Sequence, residues 1–210
     1  MSRIAIAALS MISALAGCRA TAVEGAPDAS ATARATVAEE GGVSPRGDRS
    51  IYALSMSLTD QDGRTVGLDV FRGQPVFVGM FYGSCQTMCP LLISAIQRAM
   101  YDLDAGTDAE VRVLLVSFDP ERDSPAALRA IAATRRFDAR WKLTSAPDDQ
   151  ARELAALLGI QYRKLADGSF SHTSSIVLLD RAGAIDMRLD DTTQPVQPLV
   201  ARARTLAASR

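Results

Sequence analysis

Two cysteines and one histidine are the side chains of this sequence with the greatest capacity for metal or redox chemistry. Cys85 and Cys89 are four positions apart, and His172 is the one histidine among 210 residues. Thiolate sulfur selects Cu(I), and imidazole nitrogen suits copper in either oxidation state. Two thiols and one imidazole are one ligand short of a closed structural zinc site, which takes four. The residue types therefore favour a trigonal copper site.

The same residues are compatible with other chemistry. The cysteine pair of an exported protein can form a structural disulfide. As a thiol–disulfide oxidoreductase, the chain would instead use Cys85 and Cys89 as catalytic residues that cycle between dithiol and disulfide. A thiol peroxidase would use one cysteine to attack peroxide, and a lone histidine often has no functional role. Met88 could supply a thioether ligand, but it is expected to fill the core as an adaptable hydrophobic residue. A chaperone that passes copper by ligand transfer acts stoichiometrically, so enzymatic turnover is left open.

The two cysteines lie where a buried strand is expected to meet a helix. The apolar run from Pro75 to Tyr82 predicts a central strand. Pro90 then opens an amphipathic stretch that predicts a helix to about Asp104. The partial positive charge of a helix N-terminus favours thiolate over thiol. If a strand at Ser175–Leu179 pairs with the central strand, the loop that holds His172 faces the cysteines.

The remaining patterns predict an α/β domain. An alternating stretch from Tyr52, a turn at Thr59–Gly63 and a second stretch to Val70 predict an N-terminal β-hairpin. Ser124 and Ser145 are expected to cap helices. The other predicted strands are Glu110–Phe118, Trp141–Thr144 and Ala184–Leu189, and the other predicted helices are Ser124–Phe137, Ser145–Leu158 and Val196–Ala208. This order predicts a thioredoxin-like fold, with a central mixed β-sheet flanked by helices.

The N-terminus resembles a bacterial lipoprotein leader. Arg3 precedes a stretch of apolar or small residues, 4–16, that is short for a membrane span. The sequence Leu15-Ala16-Gly17-Cys18 resembles a lipobox. We expect residues 1–18 to be a signal peptide and Cys18 to be lipidated, although an ordinary signal peptide cut nearby is the alternative. Either leader places the mature protein outside the cytoplasm, on the periplasmic side of a bacterial membrane.

Residues 19–48 differ in composition from the rest of the chain. They are rich in Ala, Gly, Glu, Thr and Ser and lack apolar periodicity, which predicts a flexible tether. Residues 49–210 have the length of one domain. The chain is 48% hydrophobic, has a net charge of −1 and shows no basic stripe, so a nucleic-acid partner is not expected.

Five segments follow one another along the chain in a recognisable order. They are Leu58–Gly63; Phe81–Pro90, which contains the pattern CxxxCP; Val116–Pro125; Trp141–Thr144, followed by a helix; and Ser171–Thr173, before an apolar strand. In this order they resemble the SCO/SenC family of copper-binding, thioredoxin-fold proteins, with the first segment similar to the family's opening hairpin and the third to its DPERDTP loop. The resemblance runs from about residue 58 to residue 183.

This resemblance implies a function and a ligand set. It implies that Cys85, Cys89 and His172 bind copper, as Cu(I) or as Cu(II). It implies that the domain assists assembly of the dinuclear CuA centre of cytochrome c oxidase, by delivering copper, by reducing the recipient's cysteines, or by both. The partner would be the oxidase subunit that carries CuA, or another copper client. Asp119, in the DPERDTP-like loop, is expected to lie just outside the ligands; the loop through Asp123 is otherwise expected to be solvated.

The chain departs from the family's pattern near the expected ligands. Gln86 and Thr87 stand where the family usually has Pro-Asp, and Ser171 stands where it often has Asp before the histidine. Both changes remove a carboxylate from the expected metal site. Less negative charge favours Cu(I) relative to Cu(II), and the changes also leave the identity of the client open.

Overall fold

The computed structural model describes residues 50–104 and 110–209. The predicted signal peptide, its lipidation site Cys18 and the predicted tether lie outside these residues. The strands are β1 (Leu58–Asp60), β2 (Thr65–Val66), β3 (Val76–Phe81), β4 (Arg112–Ser117), β5 (Trp141–Ser145), β6 (Tyr162–Lys164), β7 (Phe170–His172), β8 (Ile176–Leu179) and β9 (Ile185–Leu189). The helices are α1 (Met88–Asp104), α2 (Pro125–Arg135), α3 (Asp148–Leu158) and α4 (Gln197–Ala208).

Seven of these strands form one mixed sheet. Their order is β2-β1-β5-β4-β3-β8-β9. Strands β3, β4 and β5 run parallel, and β8 runs antiparallel to β3. Helix α1 packs on β3 and α4, and α2 packs on β5. The predicted central mixed sheet flanked by helices is therefore confirmed. Among the described residues, no helix has the length and apolar character needed to cross a bilayer.

Strand β3 lies inside the sheet, between β4 and β8, and is buried along its whole length. Its continuous apolar run suits a strand that is covered on both faces. Gly79 lets α1 approach closely, because a Cβ at this position would lie 3.2 Å from methyl groups of Leu92 and Leu115. The strand thereby fixes both the position of α1 and the point at which the chain leaves the sheet towards Cys85.

The N-terminal hairpin is present but shorter than predicted. Strand β1 pairs with β2, whereas Ile51–Ala53 is a 3-10 helix. The hydroxyl of Ser50 accepts a hydrogen bond from the N–H of Tyr52 and so caps this helix. Adjacent Ile51 and Tyr52 are both buried, whereas the predicted alternating strand would bury only one of the two. The prediction of a strand from Tyr52 is therefore wrong, and the strand begins at Leu58.

Two further boundaries differ from the predictions. Leu68–Phe71 is a 3-10 helix rather than a continuation of the hairpin, because its two buried end residues have the spacing that aligns side chains on such a helix. Ser145 does not cap α3. It ends β5, where it pairs with Ser117 of β4, and α3 starts three residues later, after Pro147. Ser145 is therefore part of the sheet and lies too far from the start of α3 to cap it.

Asp60 is a buried charge at the turn of the hairpin. Its carboxylate accepts the N–H groups of Asp62 and Arg64, each at 2.9 Å, and the ammonium of Lys142 at 3.0 Å. Burial by itself raises the pKa of Asp60, but these hydrogen bonds outweigh burial and lower the pKa below its ordinary value. The carboxylate therefore stabilises the fold whenever it is ionised.

We predict that Asp60→Asn lowers the free energy of unfolding at pH 7 by about 2–3 kcal/mol, because Lys142 loses its buried partner. The folded pKa is depressed, so the contribution of Asp60 is present above the ordinary pKa and is lost as pH falls through the folded pKa. The difference between wild type and variant should therefore shrink below about pH 4. Urea unfolding at pH 7 and pH 3 measures both values.

The matched control is Asp62→Asn, since the side chain of Asp62 is 44% exposed. This control should change the free energy of unfolding by less than about 0.5 kcal/mol. An Asp60→Asn variant that is as stable as wild type at pH 7 would contradict the role given to the buried carboxylate.

Candidate metal centre

The two cysteines lie at the start of α1. Cys85 sits in a turn closed by a hydrogen bond of 3.2 Å from its N–H to the carbonyl oxygen of Tyr82. The helix begins at Met88, two residues before the predicted start at Pro90. The N–H of Cys89 donates to Sγ of Cys85 at 3.3 Å. The sulfur of Cys85 thus occupies the role of an N-cap oxygen and meets the positive end of the helix.

The two thiols have opposite acidities. Burial disfavours the thiolate of Cys85, but hydrogen bonds from the N–H groups of Cys89 and Thr87, and from the thiol of Cys89, outweigh burial and lower the pKa of Cys85 to about 6. Burial raises the pKa of the Cys89 thiol far above its ordinary value, and the charge of Cys85 adds to this effect. At neutral pH the pair is therefore one thiolate and one thiol.

Cys85 and Cys89 are both free thiols, and both are buried. Met88, which lies between them, is not buried. Cys85 is 8% exposed and Cys89 is 2% exposed. Met88, in contrast, is 40% exposed, so the prediction that it fills the core is wrong. Cys89 and Leu92, which lie three positions apart on one face of α1, take the core positions of this turn.

His172 reaches the cysteines from β7, in a strand rather than in the predicted loop. Its Nε2 lies 3.5 Å from Sγ of Cys89. The ligand atoms of Cys85, Cys89 and His172 all lie within 4.8 Å of one another. The Nδ1 atom lies 3.1 Å from the carbonyl oxygen of Thr173, which only accepts, so Nδ1 carries the proton. In the neutral ring, the lone pair of Nε2 then faces the sulfurs, as metal binding requires.

The hairpin that carries His172 was missed by sequence reasoning. Strands β6 and β7 pair antiparallel, with Tyr162 opposite His172. The available signal was the turn sequence Asp167-Gly168, where Gly168 has φ +80°. The pairing of β8 with β3, on which the prediction for His172 depended, is present.

An aromatic cluster surrounds the imidazole of His172. The ring centroids of Tyr82 and Phe118 lie 5.8 and 5.4 Å from it. Phe118 stacks on Tyr162 at 4.5 Å and meets Phe170 at 5.0 Å. These rings restrict the orientation of the imidazole and shield its inner side from water. Sequence reasoning did not find the cluster, because its members come from segments that are far apart in the chain.

Asp123 joins the loop after β4 to the turn that holds Cys85. Its carboxylate accepts the N–H of Gly83 at 2.8 Å and the hydroxyl of Ser117. Burial raises the pKa of Asp123, although both hydrogen bonds oppose the rise. Asp123 is 3% exposed and Asp119 is 2% exposed. The prediction of a solvated loop is therefore wrong for these two residues.

Asp119 is connected, through Arg122, to the hairpin of β6 and β7 that carries His172. Its carboxylate pairs with Arg122, and the same guanidinium donates to the carbonyl oxygen of Gly168, in the turn between β6 and β7. Among the hydrogen bonds of the described residues, none joins Asp119 to the cysteines or to His172. Its effect on a bound metal would be to hold the strand that carries the imidazole.

The arrangement of donors suits one soft metal ion. Bonds of roughly 2.0–2.3 Å to nitrogen and sulfur place neighbouring donors of a trigonal site roughly 3.5–4 Å apart, and the distance of 3.5 Å between Cys89 and His172 agrees. Within residues 50–104 and 110–209, this is the one group of three or more Cys, His, Asp or Glu side chains with donor atoms this close. Three ligands fit Cu(I) better than structural zinc.

Comparison with known proteins places these residues in a family. Residues 46–208 match the family model described as SCO1/SenC. A relative, the SCO1 protein homolog of Bacillus subtilis (strain 168), is 27% identical over 133 residues, which cover 61% of this chain and 68% of the relative.

Solved structures agree with this match. A SCO1/SenC family lipoprotein from Bacillus anthracis is 21% identical, with a TM-score of 0.67 over 72% of this chain and 92% of that chain. ScoI of Bradyrhizobium japonicum with copper bound is 26% identical, with a TM-score of 0.58 over 72% of this chain and 96% of that chain. The likeness confirms the thioredoxin-like fold. Since the family model spans most of the sequence and includes both cysteines and the histidine, the chain belongs to the SCO1/SenC family.

Proposed function

We propose that this chain is a copper metallochaperone that binds one Cu(I) ion through Cys85, Cys89 and His172. The observation that carries the proposal is the approach of one imidazole nitrogen to two sulfurs, with all three ligand atoms within 4.8 Å of one another. Copper is the cargo, and thiolate ligands select its reduced form. A three-coordinate site also leaves room for a ligand of the client to join before a ligand of the chaperone departs. The copper-bound ScoI structure supports the choice of metal.

The residues around the proposed ligands favour the reduced ion. Gln86, Thr87 and Ser171, which replace residues of the family's pattern, are exposed and uncharged. The buried carboxylate of Asp123 is already engaged by Gly83 and Ser117. Without the carboxylates of the family's pattern, the site carries less negative charge, which favours Cu(I) relative to Cu(II).

The proposed client is the cytochrome c oxidase subunit that carries CuA, or another copper client with sulfur and nitrogen ligands. The family resemblance supports this assignment. Lipidation of Cys18 and the tether of residues 19–48 belong to the same proposal. A domain held by a lipid at the periplasmic face of a membrane would meet a client embedded in that membrane at high effective concentration.

We predict that the reduced protein binds one equivalent of Cu(I), and that His172→Ala weakens the affinity by at least about tenfold, since even the loss of an outer hydrogen-bond partner costs that much at many metal sites. Competition with a chromophoric Cu(I) chelator measures the affinity. X-ray absorption should count two sulfur neighbours and one nitrogen neighbour in the wild type.

The matched control is Ser171→Ala, an exposed neighbour of His172 on the same strand, which should leave the affinity unchanged. If His172→Ala binds Cu(I) as tightly as wild type and with the same spectrum, the imidazole is not a ligand and the proposed site is wrong.

The client assignment has its own test. Copper-loaded protein is mixed with a metal-free, reduced CuA-bearing domain, and mass spectrometry follows the metal on both partners. We expect copper to move from the wild type to the domain. Transfer from Cys89→Ser should be faster, and complete within the mixing time, because that variant holds copper with one thiolate fewer. Copper that stays on the wild type at equilibrium would exclude this client while leaving the binding site intact.

A second candidate function is thiol–disulfide exchange, which the opposite acidities of the two thiols favour. The Cys85 thiolate would attack a client disulfide, form a mixed disulfide and release one client thiolate. Cys89 would then give its proton to Nε2 of His172 and attack the sulfur of Cys85. This step releases the second client thiol and leaves a Cys85–Cys89 disulfide, so two electrons pass from the pair to the client.

We predict that alkylation of Cys85 by iodoacetamide in the reduced, metal-free protein follows an apparent pKa of about 6. The reason is that only the thiolate reacts. Cys89, measured in Cys85→Ser, should react very slowly below pH 8, because burial holds it as a thiol. Mass spectrometry of the modified peptides follows both rates against pH. An apparent pKa for Cys85 near the ordinary value of about 8.5 would count against the exchange function.

A further inference from the structure

A cavity of about 290 Å³ opens beside the two sulfurs. Both cysteines contribute to its wall, whereas His172 does not. Pro90 and Ile93 of α1 and Ile131 of α2 give it apolar walls. A molecule in this cavity would therefore touch the sulfurs without displacing the imidazole. The volume suits one or two amino-acid side chains and is small for a drug-sized ligand.

Among the described residues, Arg135, at the end of α2, supplies the one basic side chain that lines the cavity. Its Nη1 donates to Ser94 Oγ at 3.3 Å and to Gln97 Oε1 at 3.5 Å. The side chain of Gln97 in turn donates to the carbonyl oxygen of Arg135 at 3.2 Å. These bonds join α1 to α2 and hold the guanidinium in place at the cavity.

Two nitrogens of the Arg135 guanidinium have no acceptor in the part of the chain that the structure describes. Among residues 50–104 and 110–209, no carboxylate forms an ion pair with Arg135, and its Nε and Nη2 make no hydrogen bond. No aspartate or glutamate of the described residues lines the cavity. Nε and Nη2 together form the edge of a guanidinium that binds a carboxylate through two parallel hydrogen bonds. The charge and the donors therefore match an incoming carboxylate.

We propose that this cavity is a specificity pocket for the cysteine-bearing segment of a client protein, and that it takes an acidic side chain next to the client's cysteine. The proposal rests on the proposed function, in which a client cysteine must approach Cys85. A glutamate is the best fit, because its methylene groups would contact Ile93 and Ile131 while its carboxylate would pair with Arg135. The pocket would select clients by the residue beside the cysteine, and Cys85 and Cys89 would act on the cysteine itself.

The test uses short blocked peptides with one cysteine activated as a 2-pyridyl disulfide. The neighbour of the cysteine is Glu, Gln or Lys, placed before or after it in separate peptides. The Cys85 thiolate of the reduced, metal-free protein attacks the peptide sulfur. A disulfide between Cys85 and the peptide forms, the bond to the pyridyl sulfur breaks, and that sulfur leaves with the electron pair and takes a proton to give pyridine-2-thione. Its absorbance gives the rate.

We expect the Glu peptide to react roughly three- to tenfold faster than the Gln peptide in at least one of the two placements, and the Lys peptide to react slowest. Arg135→Gln should abolish this preference. The readout is the ratio of the Glu rate to the Gln rate within each protein, so a change in the reactivity of Cys85 that affects both peptides equally does not enter it. The preference should also shrink as salt is added.

The matched control is Arg136→Asn, which removes one positive charge from the next residue, outside the cavity. Arg136 is exposed and has φ +55°, a conformation that asparagine tolerates well. This variant should keep the preference for Glu. Equal rates for Glu and Gln peptides in the wild type, or the same loss of preference in Arg136→Asn, would overturn the proposal. The peptide assay uses no metal, so neither of these results bears on Cu(I) binding. The proposed function is tested independently by the Cu(I) titration.

Discussion

The site depends on one contact, the approach of His172 Nε2 to Cys89 Sγ across 83 positions of sequence. Three separate arrangements bring these atoms together. The antiparallel pairing of β3 with β8 places the end of β3, which leads to the cysteines, next to the start of β8, which follows His172. The close packing of α1 on β3 at Gly79 fixes the cysteines. The hairpin of β6 and β7 then carries the imidazole back over them. A shift in any of these elements would separate the donors.

Two buried carboxylates hold the loops around this contact. Asp123 binds the N–H of Gly83, in the turn before Cys85, and Asp119 binds Arg122, which reaches the hairpin of His172. A buried charge is costly unless it is paired or hydrogen-bonded. Both carboxylates meet that condition, and both use their partners to connect a loop to a donor of the site. The DPERDTP-like segment is thus a structural support for the metal centre.

The sequence predicted the core of the fold well and its edges less well. Strands β3, β4, β8 and β9 and all four helices were expected, because long apolar or periodic runs are strong signals. The first strand, the end of the hairpin and the cap of α3 were misplaced. The segments around Tyr52 and Val70 form 3-10 helices instead of strands, and Ser145 pairs with β4 instead of capping α3. Met88 was misassigned because only the phase of α1 decides which residue of the turn faces the core.

The sequence by itself determined the chemistry that is available: two thiols next to a helix start, one imidazole, and too few ligands for a closed zinc site. It also determined the family, since the motifs occur in order. Only the tertiary structure decided that His172 meets Cys89, that Thr173 selects the tautomer of the imidazole, and that Arg135 lines the same cavity as the two cysteines. Residue types are fixed locally, but distances between remote side chains follow from packing, which no local pattern encodes.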